Sequence, residues 1–403
     1  MNYLSPYVSS YKFNITMFKA YVLIFLILVF SCSSNAPSNE TSTPIEANDL
    51  TSIEGLNLDA IELPQGFEVE VFARVNNARS MVMSPDGTLF VGNRAGDKVY
   101  AIRDTDGDWK ADEKYVLAKD LRMPNGVAFK DGSLYVAEVS KLWRFNNIEG
   151  NLATPPEPEL IYDDYPKDQH HGWKFIAFGP DGKLYIPVGA PCNKCISKNE
   201  LHASISRMNP DGTEREVFAH GVRNTVGFTW HPETEEMWFT DNGRDLLGDD
   251  EPPCELNRVT EAGQHFGYPY CHGGYLKDPE HGDKRPCEDF VKPAQNLGPH
   301  VAPLGVKFCV SNAFPESYKH VAFIAEHGSW NRSKQAGHTG HKITMVREEN
   351  GVGVSYEDFA TGFLNKETNT AWARPVDLLF TEDGSMLVSD DLGGTIFRIY
   401  YKG

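Results

Sequence analysis

A short phrase of apolar strand, tight turn and second apolar strand recurs along the chain and predicts repeated β-hairpins. The turn reads Pro-Asp-Gly or a close variant, and the second strand is rich in aromatic and β-branched residues. An Asp-Gly turn between such runs is a strong hairpin signal. The clear copies occupy residues 81–91, 127–136, 176–186, 226–239 and 378–388, and a degenerate copy occupies residues 305–308 and 321–325.

The spacing of these copies predicts the architecture. The early copies start about 45–50 residues apart, which is the length of one four-stranded propeller blade. Six copies therefore predict an all-β fold, a six-bladed β-propeller whose long inter-blade loops lie over the central channel. No stretch offers a convincing long amphipathic helix, which disfavours a parallel α/β fold. The longest inserts, where propeller sites form, are residues 187–204, 241–254 and 262–302, and a shorter one covers residues 328–340.

The N-terminal residues predict export and a lipid anchor. An apolar run over residues 21–30 follows Lys19 and ends at Ser31 and Cys32, which is the order of a secretory signal. The run is shorter than the roughly 20 residues of a membrane-spanning helix. Residues 29–32 resemble a bacterial lipobox, so Cys32 is the expected lipidation site. A plain signal peptide cut near Ser31 is the alternative.

These features predict three segments and a location. Residues 1–32 are a lipoprotein-type signal peptide, residues 33–55 a disordered polar tether, and residues 56–403 the propeller. The protein is expected at the bacterial cell envelope, in the periplasm or on the outer membrane. Its net charge of −18 argues against nucleic acid and against an electrostatic grip on anionic lipid. Membrane contact is therefore expected through the N-terminal lipid only.

The cysteines beyond residue 32 predict disulfides. They number six, and an even number in an exported chain makes pairing the default, although about fifteen pairings are possible. The candidate pairs are Cys192 with Cys195, Cys271 with Cys287 and, by elimination, Cys254 with Cys309. A zinc site at the first pair is the rival interpretation, but it lacks a second Cys/His pair at suitable spacing.

One acidic loop predicts a calcium site. Asp104, Asp106, Asp108 and Asp112 stand at offsets of 0, 2, 4 and 8, and Gly107 permits a sharp turn. This spacing lets one short segment wrap a hard cation with oxygen atoms. The loop departs from an EF-hand because it has no acid at the twelfth position and no flanking helices. The alternative is an acidic, solvated turn between strands.

Motifs in order across residues 60–400 carry a family resemblance. They are residues 171–182, 220–224, 240–244, 267–272, 298–305, 325–332 and 373–377. Together they resemble the glucose/sorbosone dehydrogenase family, quinoprotein sugar dehydrogenases that use pyrroloquinoline quinone (PQQ) on a six-bladed propeller. The sorbosone branch is the most similar. The resemblance implies PQQ and Ca²⁺ as cofactors, a small sugar as substrate, and the quinone pool or a cytochrome as electron acceptor.

The resemblance implies a role for each matched residue. His171 matches the histidine that removes the proton from the C1 hydroxyl of the sugar, and histidine titrates near working pH. His170 stands where the glucose enzymes carry an aspartate that supports this base. Arg223, Asn224 and Arg374 match residues that contact the quinone, whose three carboxylates suit guanidinium groups.

Other matched positions have altered residue types or act through the main chain. His300, His327 and Arg332 lie at or near positions where the glucose enzymes place threonine and lysine on the quinone, so cofactor geometry or substrate range is expected to differ. Gly243 and Arg244 align with two main-chain carbonyl groups that hold the catalytic calcium, a Lewis acid toward the quinone. The acids at positions 245 and 249–251 assist this ion or face water.

Three functions remain open from the sequence. The first is a PQQ- and calcium-dependent dehydrogenase that oxidises a sugar or a sugar aldehyde by hydride transfer. The second is a calcium-dependent propeller lactonase, which has no reason to place Arg223 and Arg374 around the axis. The third is a non-catalytic binding propeller at the cell surface, which the altered residues His300 and His327 favour.

Overall fold

The computed structural model describes residues 50–403, so the predicted signal peptide, Cys32 and most of the tether lie outside the described residues. The strands, in chain order, are β1 (Phe67–Arg74), β2 (Ala78–Met83), β3 (Leu89–Asn93), β4 (Val99–Arg103), β5 (Glu113–Ala118), β6 (Gly126–Lys130), β7 (Ser133–Ala137), β8 (Leu142–Phe145), β9 (Glu159–Tyr162), β10 (Ala177–Phe178), β11 (Leu184–Val188), β12 (Ser204–Met208), β13 (Glu216–His220), β14 (Phe228–Trp230), β15 (Met237–Asp241), β16 (Pro253–Val259), β17 (Cys271–His272), β18 (Leu276–Lys277), β19 (Gln295–Pro299), β20 (Pro303–Phe308), β21 (Ala322–Glu326), β22 (Lys342–Glu349), β23 (Val352–Ala360), β24 (Leu364–Asn365), β25 (Thr370–Ala371), β26 (Pro375–Phe380), β27 (Met386–Asp390) and β28 (Thr395–Tyr401). Short 3-10 helices cover Leu58–Ala60, Glu149–Asn151, Cys287–Asp289 and Glu316–Tyr318. None of the helices in this range is long and apolar enough to span a bilayer.

Twenty-four of these strands form six four-stranded antiparallel sheets, the blades of the predicted propeller, while β17 with β18 and β24 with β25 form two-stranded sheets. Five blades follow chain order: β2–β5, β6–β9, β10–β13, β14–β16 with β19, and β20–β23. The sixth combines β26, β27 and β28 with β1, so the first strand of the described chain closes the last blade. Each hairpin predicted from the sequence forms the first two strands of a blade, including the degenerate copy at β20 and β21. The all-β, six-bladed fold is therefore confirmed.

The hydrophobic core lies between neighbouring blades. Apolar side chains alternate along the strands, and those of one sheet pack on the sheet that faces it. Tyr135 of the second blade packs in one cluster with Ile186 of the third, and Trp238 of the fourth packs with Ile324 of the fifth. The first strands of adjacent blades contact one another, as β26 does with β2 and β2 with β6. The residues just before these first strands therefore meet around the channel.

Packing begins at Leu50, inside the range predicted as a tether. The Leu50 side chain is fully buried in a cluster with Phe72 and Val75, and its carbonyl oxygen accepts a hydrogen bond of 2.6 Å from the amide of Arg74. The tether predicted over residues 33–55 is therefore too long at its C-terminal end, because a buried leucine anchors this segment to β1.

Two of the three predicted disulfides form, and the third prediction is wrong. The bonds are Cys192–Cys195 and Cys271–Cys287. Cys254 and Cys309 are free and buried. Phe308 packs in the cluster that contains Cys254, whereas Cys309, the next residue, belongs to a different cluster because successive side chains point to opposite faces of a sheet. Elimination failed here because a core accepts a buried thiol as a small hydrophobic side chain.

We predict that alkylation of the native protein leaves Cys254 and Cys309 unmodified, because burial raises the pKa of these thiols to about 12 and about 11, respectively. After denaturation without reductant, both should be alkylated, while the four disulfide-bonded cysteines stay protected. Mass spectrometry of the resulting peptides measures both states. A peptide pair that joins Cys254 to Cys309 would contradict the structure.

Candidate active site

A cavity lined by several charged side chains lies over the channel where inserts from several blades meet, with a volume of about 210 Å³. Of the residues predicted for the site, the cavity brings together His171, Arg223, Asn224, Gly243, His300, His327 and Arg374. Its wall also includes Arg79, Arg94, Trp173, Asp245, Trp330 and Asn331. Residues far apart in the sequence thus converge on one site because the ring of blades closes.

Two buried aspartates explain how Arg223 and Arg374 are placed. Asp241, at the end of β15, accepts hydrogen bonds from the main-chain N–H groups of Arg223 and Asn224 at 2.7 and 2.6 Å. Asp390, at the end of β27, accepts one from the N–H group of Arg374 at 2.7 Å. In both blades, a carboxylate at the end of the second strand fixes the turn before the first strand. This turn carries the arginine to the cavity wall.

The cavity is basic within an acidic protein of net charge −18. Its guanidinium groups are those of Arg79, Arg94, Arg223 and Arg374. Arg79 pairs with Asp391 at 2.9 Å, and Arg223 pairs with Asp245 at 3.0 Å. Arg374 instead donates hydrogen bonds of 2.8 Å to two main-chain carbonyl oxygens. On the cavity wall itself, the four guanidinium groups thus lie with a single carboxylate, that of Asp245, among the described residues.

Arg94 shows this excess most clearly. Its guanidinium lies 3.9 Å from the ring centroid of Trp173, and its Nε atom is buried with no hydrogen-bond partner among residues 50–403. Burial, together with the charges of Arg79 and Arg374, lowers the pKa of Arg94 to about 10. A buried donor without a partner carries a desolvation cost that an anionic ligand would relieve.

His171 is held as a neutral base. Its Nδ1 atom lies 2.9 Å from the carbonyl oxygen of Ala190, which makes Nδ1 the protonated atom and leaves the lone pair on Nε2. Burial and the positive charge of Arg223 lower the pKa of His171 to about 2. Its backbone is left-handed, with a φ of 53°, and a Cβ atom on Gly189 would lie 2.5 Å from the Cβ atom of His171. This strained, closely packed position fixes the orientation of the ring.

The other predicted histidines are bonded to the protein. Nε2 of His327 lies 2.8 Å from Asp391, and burial lowers the pKa of His327 to about 4. Nε2 of His300 lies 2.8 Å from the carbonyl oxygen of Gly248. The ring of His170 stacks near that of His171, with centroids 3.9 Å apart. The partner that orients His171 is therefore a main-chain carbonyl group rather than the side chain at position 170.

Two of the predicted residues do not line the cavity with their side chains. The guanidinium of Arg244 is buried in an ion pair with Asp278. The guanidinium of Arg332 lies 3.5 Å from Asp250, whereas its neighbour Asn331 lines the cavity and donates to Asp245 at 2.6 Å. Among the described residues, the side chain that lines the cavity at this point is therefore that of Asn331 and not that of Arg332.

The acidic loop lies between β4 and β5. Carboxylate oxygens of Asp104, Asp106 and Asp108 lie within 4.8 Å of one another. Asp112 is not part of this group and accepts hydrogen bonds of 2.6 Å from both the N–H group and the hydroxyl of Thr105. Three of the four predicted ligands therefore converge.

The sequence interpretation missed several residues that shape the cavity, among them Arg79, Arg94 and Trp173. Arg79 and Arg94 flank the first predicted hairpin, and Trp173 lies within a matched motif, two residues after His171. An arginine at either end of a hairpin whose first strand faces the axis is the signal that could have found them.

Comparison with known proteins agrees with this site. The sequence model of the glucose/sorbosone dehydrogenase family matches residues 146–329, and a model described as TrAA12-like matches residues 275–402. An uncharacterised protein of Borreliella burgdorferi is 34% identical over 377 residues, which cover 90% of this chain and 94% of that protein. A PQQ-dependent pyranose dehydrogenase of Coprinopsis cinerea is 32% identical over 130 residues, which cover 27% of this chain and 16% of that enzyme.

The fold also matches a solved structure. The holo form of the PQQ domain of pyranose dehydrogenase from Coprinopsis cinerea superposes with a TM-score of 0.71 at 20% sequence identity, over 84% of this chain and 97% of that domain. At this identity the likeness supports the propeller fold alone, while the sequence matches carry the relationship. On these findings, the chain belongs to the glucose/sorbosone dehydrogenase family.

Proposed function

We propose that the protein is a quinoprotein oxidoreductase that oxidises a sugar or a sugar aldehyde, of the aldose or sorbosone type, with PQQ as cofactor. The observation that carries the proposal is one cavity that joins a neutral histidine base to an excess of guanidinium groups. The family match and the activity named for the Coprinopsis cinerea relative support this reaction class.

The residues of the cavity fit PQQ. The cofactor carries three carboxylates, and guanidinium groups bind carboxylates through paired, charge-assisted hydrogen bonds. Arg94, whose buried Nε has no partner among the described residues, would take one carboxylate, and Arg223 and Arg374 would attract others with the donors that the protein leaves free. His300 and His327 would contact the cofactor as parts of the wall, since each already bonds to the protein through Nε2.

The chain itself would supply proton transfer and a buried reaction site. When bound, PQQ accepts a hydride from the substrate carbon. His171 would take the hydroxyl proton of that carbon on Nε2, while Nδ1 keeps its bond to Ala190. Hydride and proton together complete the two-electron oxidation of the alcohol. A carboxylate that offsets the charge of Arg223 would also raise the pKa of His171 from its low value toward the working range.

Calcium belongs to the proposal in two places. A catalytic ion would be held by the main-chain carbonyl groups of Gly243 and Arg244, beside Asp245, and Gly243 and Asp245 line the cavity. A structural ion would lie in the acidic loop between β4 and β5, where three carboxylates converge.

The proposed location and partners complete this function. The chain would be exported and anchored at the cell envelope through a lipid on Cys32, and its electrons would pass to the quinone pool or a cytochrome. A calcium-dependent lactonase is less favoured, because hydrolysis of a lactone needs no cluster of buried guanidinium groups. A non-catalytic binding propeller has no need of a histidine held as a neutral base.

We predict that the purified protein, incubated with PQQ and calcium, binds the quinone and reduces a dye with an aldose or sugar aldehyde from a panel. His171→Gln should keep the quinone and lose activity by roughly 10²- to 10⁴-fold, the usual contribution of a general acid–base group. The matched control is His320→Gln, since His320 pairs with Glu233 and does not line the cavity. A wild-type protein that takes up no quinone, or a fully active His171→Gln variant, would refute the proposal.

Arg94→Leu should weaken PQQ binding by about tenfold to a hundredfold, the range of a charge-assisted hydrogen bond. Its thermal stability should hold or rise, because the variant removes a buried charge that Asp391 and Asp245 do not pair with. Absorbance titration gives the dissociation constant. Arg122→Leu, at an exposed arginine outside the cavity wall, is the control. Equal quinone affinity in the two variants would mean that Arg94 does not hold the cofactor.

In the apoprotein, His171 should stay neutral and protonated on Nδ1 at neutral pH. Its pKa in the folded chain lies below the value of about 6.5 in the unfolded chain, so its contribution to stability is complete above about pH 6.5 and is lost as the pH falls. Nitrogen-15 spectra of histidine-labelled protein, assigned with His171→Gln, measure the tautomer and its titration. Added PQQ should raise this pKa. An imidazolium form of His171 at pH 7 in the apoprotein would contradict the assignment.

A further inference from the structure

The loop closed by the Cys192–Cys195 disulfide lies beside the cavity, between β11 and β12. One of its residues, Asn193, accepts two hydrogen bonds from Arg223. Nε of Arg223 donates to the main-chain oxygen of Asn193 at 3.1 Å, and Nη2 donates to its Oδ1 at 2.9 Å. The same Oδ1 accepts from the N–H group of Asp245 at 2.8 Å, and Nδ2 donates to the carbonyl oxygen of Asp245 at 3.0 Å. One short side chain therefore joins both members of the Arg223–Asp245 ion pair.

We infer that Asn193 is a positioning residue for the quinone site and that the Cys192–Cys195 bond holds it in place. The inference rests on the proposed function, because Asn193 is inferred to set the orientation of the Arg223 guanidinium relative to an anionic cofactor. A guanidinium has donors in a fixed fork, and two of them are committed to Asn193. Nη2 also donates to Asp245 at 3.0 Å and Nη1 to the carbonyl oxygen of Asn242 at 3.1 Å, so the described residues leave one N–H donor, on Nη1, for a cofactor carboxylate.

The disulfide loop is anchored independently of Arg223. The N–H group of Cys195 donates to the Tyr268 hydroxyl at 3.0 Å, and that hydroxyl donates to the carbonyl oxygen of Cys192 at 3.3 Å. Nε2 of His281 lies 2.9 Å from the carbonyl oxygen of Lys194. Both ends and the middle of the loop are thus tied to the insert of residues 262–302. Because these contacts hold the loop without Arg223, the loop can fix the orientation of the Arg223 side chain.

The same segment also touches the proposed base. The carbonyl oxygen of Ala190 orients His171, and the N–H group of Ala190 donates to the carbonyl oxygen of Arg223 at 2.8 Å. Residues 190–193 therefore link the proton acceptor to the cofactor arginine. Release of the loop would loosen two elements of the site together, while the blades keep their packing.

The second disulfide is a matched control for this role. Cys271–Cys287 closes a longer loop, with a sequence separation of 16 against 3 for Cys192–Cys195. A longer closed loop restricts the unfolded chain more, so its removal should reduce stability more. The link of this second disulfide to Asn193 is indirect, because His281 lies inside the longer loop and bonds to the carbonyl oxygen of Lys194. The two bonds thus separate an effect on folding from an effect on the site.

The test measures the PQQ dissociation constant and the thermal midpoint of six proteins: wild type, Asn193→Ala, Cys192→Ser/Cys195→Ser, Cys271→Ser/Cys287→Ser, Arg223→Ala, and Arg223→Ala/Asn193→Ala. The first two changes should weaken quinone binding by about tenfold, with a small fall in the midpoint. The control pair should lower the midpoint more and weaken quinone binding less than Cys192→Ser/Cys195→Ser does, because it acts on Asn193 only through His281. In the Arg223→Ala background, Asn193→Ala should have no further effect on affinity, since the two residues act as one unit.

A measurement on the apoprotein separates this inference from the proposed function. Exchange of the Nη2 hydrogens of Arg223, which donate to Oδ1 of Asn193, should be slow by NMR in the wild type and faster in Asn193→Ala. Wild-type protein that takes up no PQQ overturns the proposed function, and the exchange rates then decide the positioning role by themselves. Unchanged quinone affinity in Asn193→Ala, or equal exchange rates in the two proteins, overturns the inference while the proposed function stands.

Discussion

Positive charge confined at the channel is the constraint on which the rest of the site depends. Guanidinium groups that approach one another inside a protein repel strongly, because little water screens them. The structure separates them by giving each a different support: an ion pair for Arg79 and Arg223, main-chain carbonyl groups for Arg374, and an aromatic face for Arg94. These supports leave positive charge uncompensated, and this surplus is what an anionic cofactor would use.

The closed ring of blades places an acidic residue beside each of two turns that carry an arginine to the channel. Each blade ends its second strand close to the start of its first, so one buried aspartate can fix the turn that carries an arginine inward. Asp241 and Asp390 do this in the fourth and sixth blades. Their own burial raises the pKa of Asp241 to about 6 and that of Asp390 to about 7, and the N–H groups that they bind oppose this rise. The loops then add what the blades lack, and the disulfide loop at Asn193 holds Arg223 from the side.

The fold could be read from the sequence because its signals are local. An Asp-Gly turn between two apolar runs predicts a hairpin from about ten residues, and the repetition of this pattern predicts the blades. The site could be read only in part. His171, Arg223 and Arg374 lie in motifs that resemble a family, whereas Arg79 and Arg94 reach the cavity through the register of β2 and β3 on the closed ring. Closure joins residues some 300 positions apart, and no short window of sequence contains it.

Other differences have equally physical causes. Arg332 and Asn331 are neighbours in an irregular loop. Such a loop has no regular alternation of side chains, so the sequence does not indicate which of the two faces the cavity. Cys254 and Cys309 have the composition of a disulfide pair, but sheet pleating sends them to different clusters. Leu50 lies in a polar stretch, and its burial depends on the space beside Phe72 that β1 creates.

A crystal structure of the protein soaked with PQQ and calcium tests the central claim most directly. The account predicts electron density for the quinone in the cavity, with carboxylates against Arg94 and Arg223 and the reacting face of the cofactor toward Nε2 of His171. Quinone density that lies outside the arginine cluster, or an arginine cluster that stays without an anion at saturating PQQ, would contradict it.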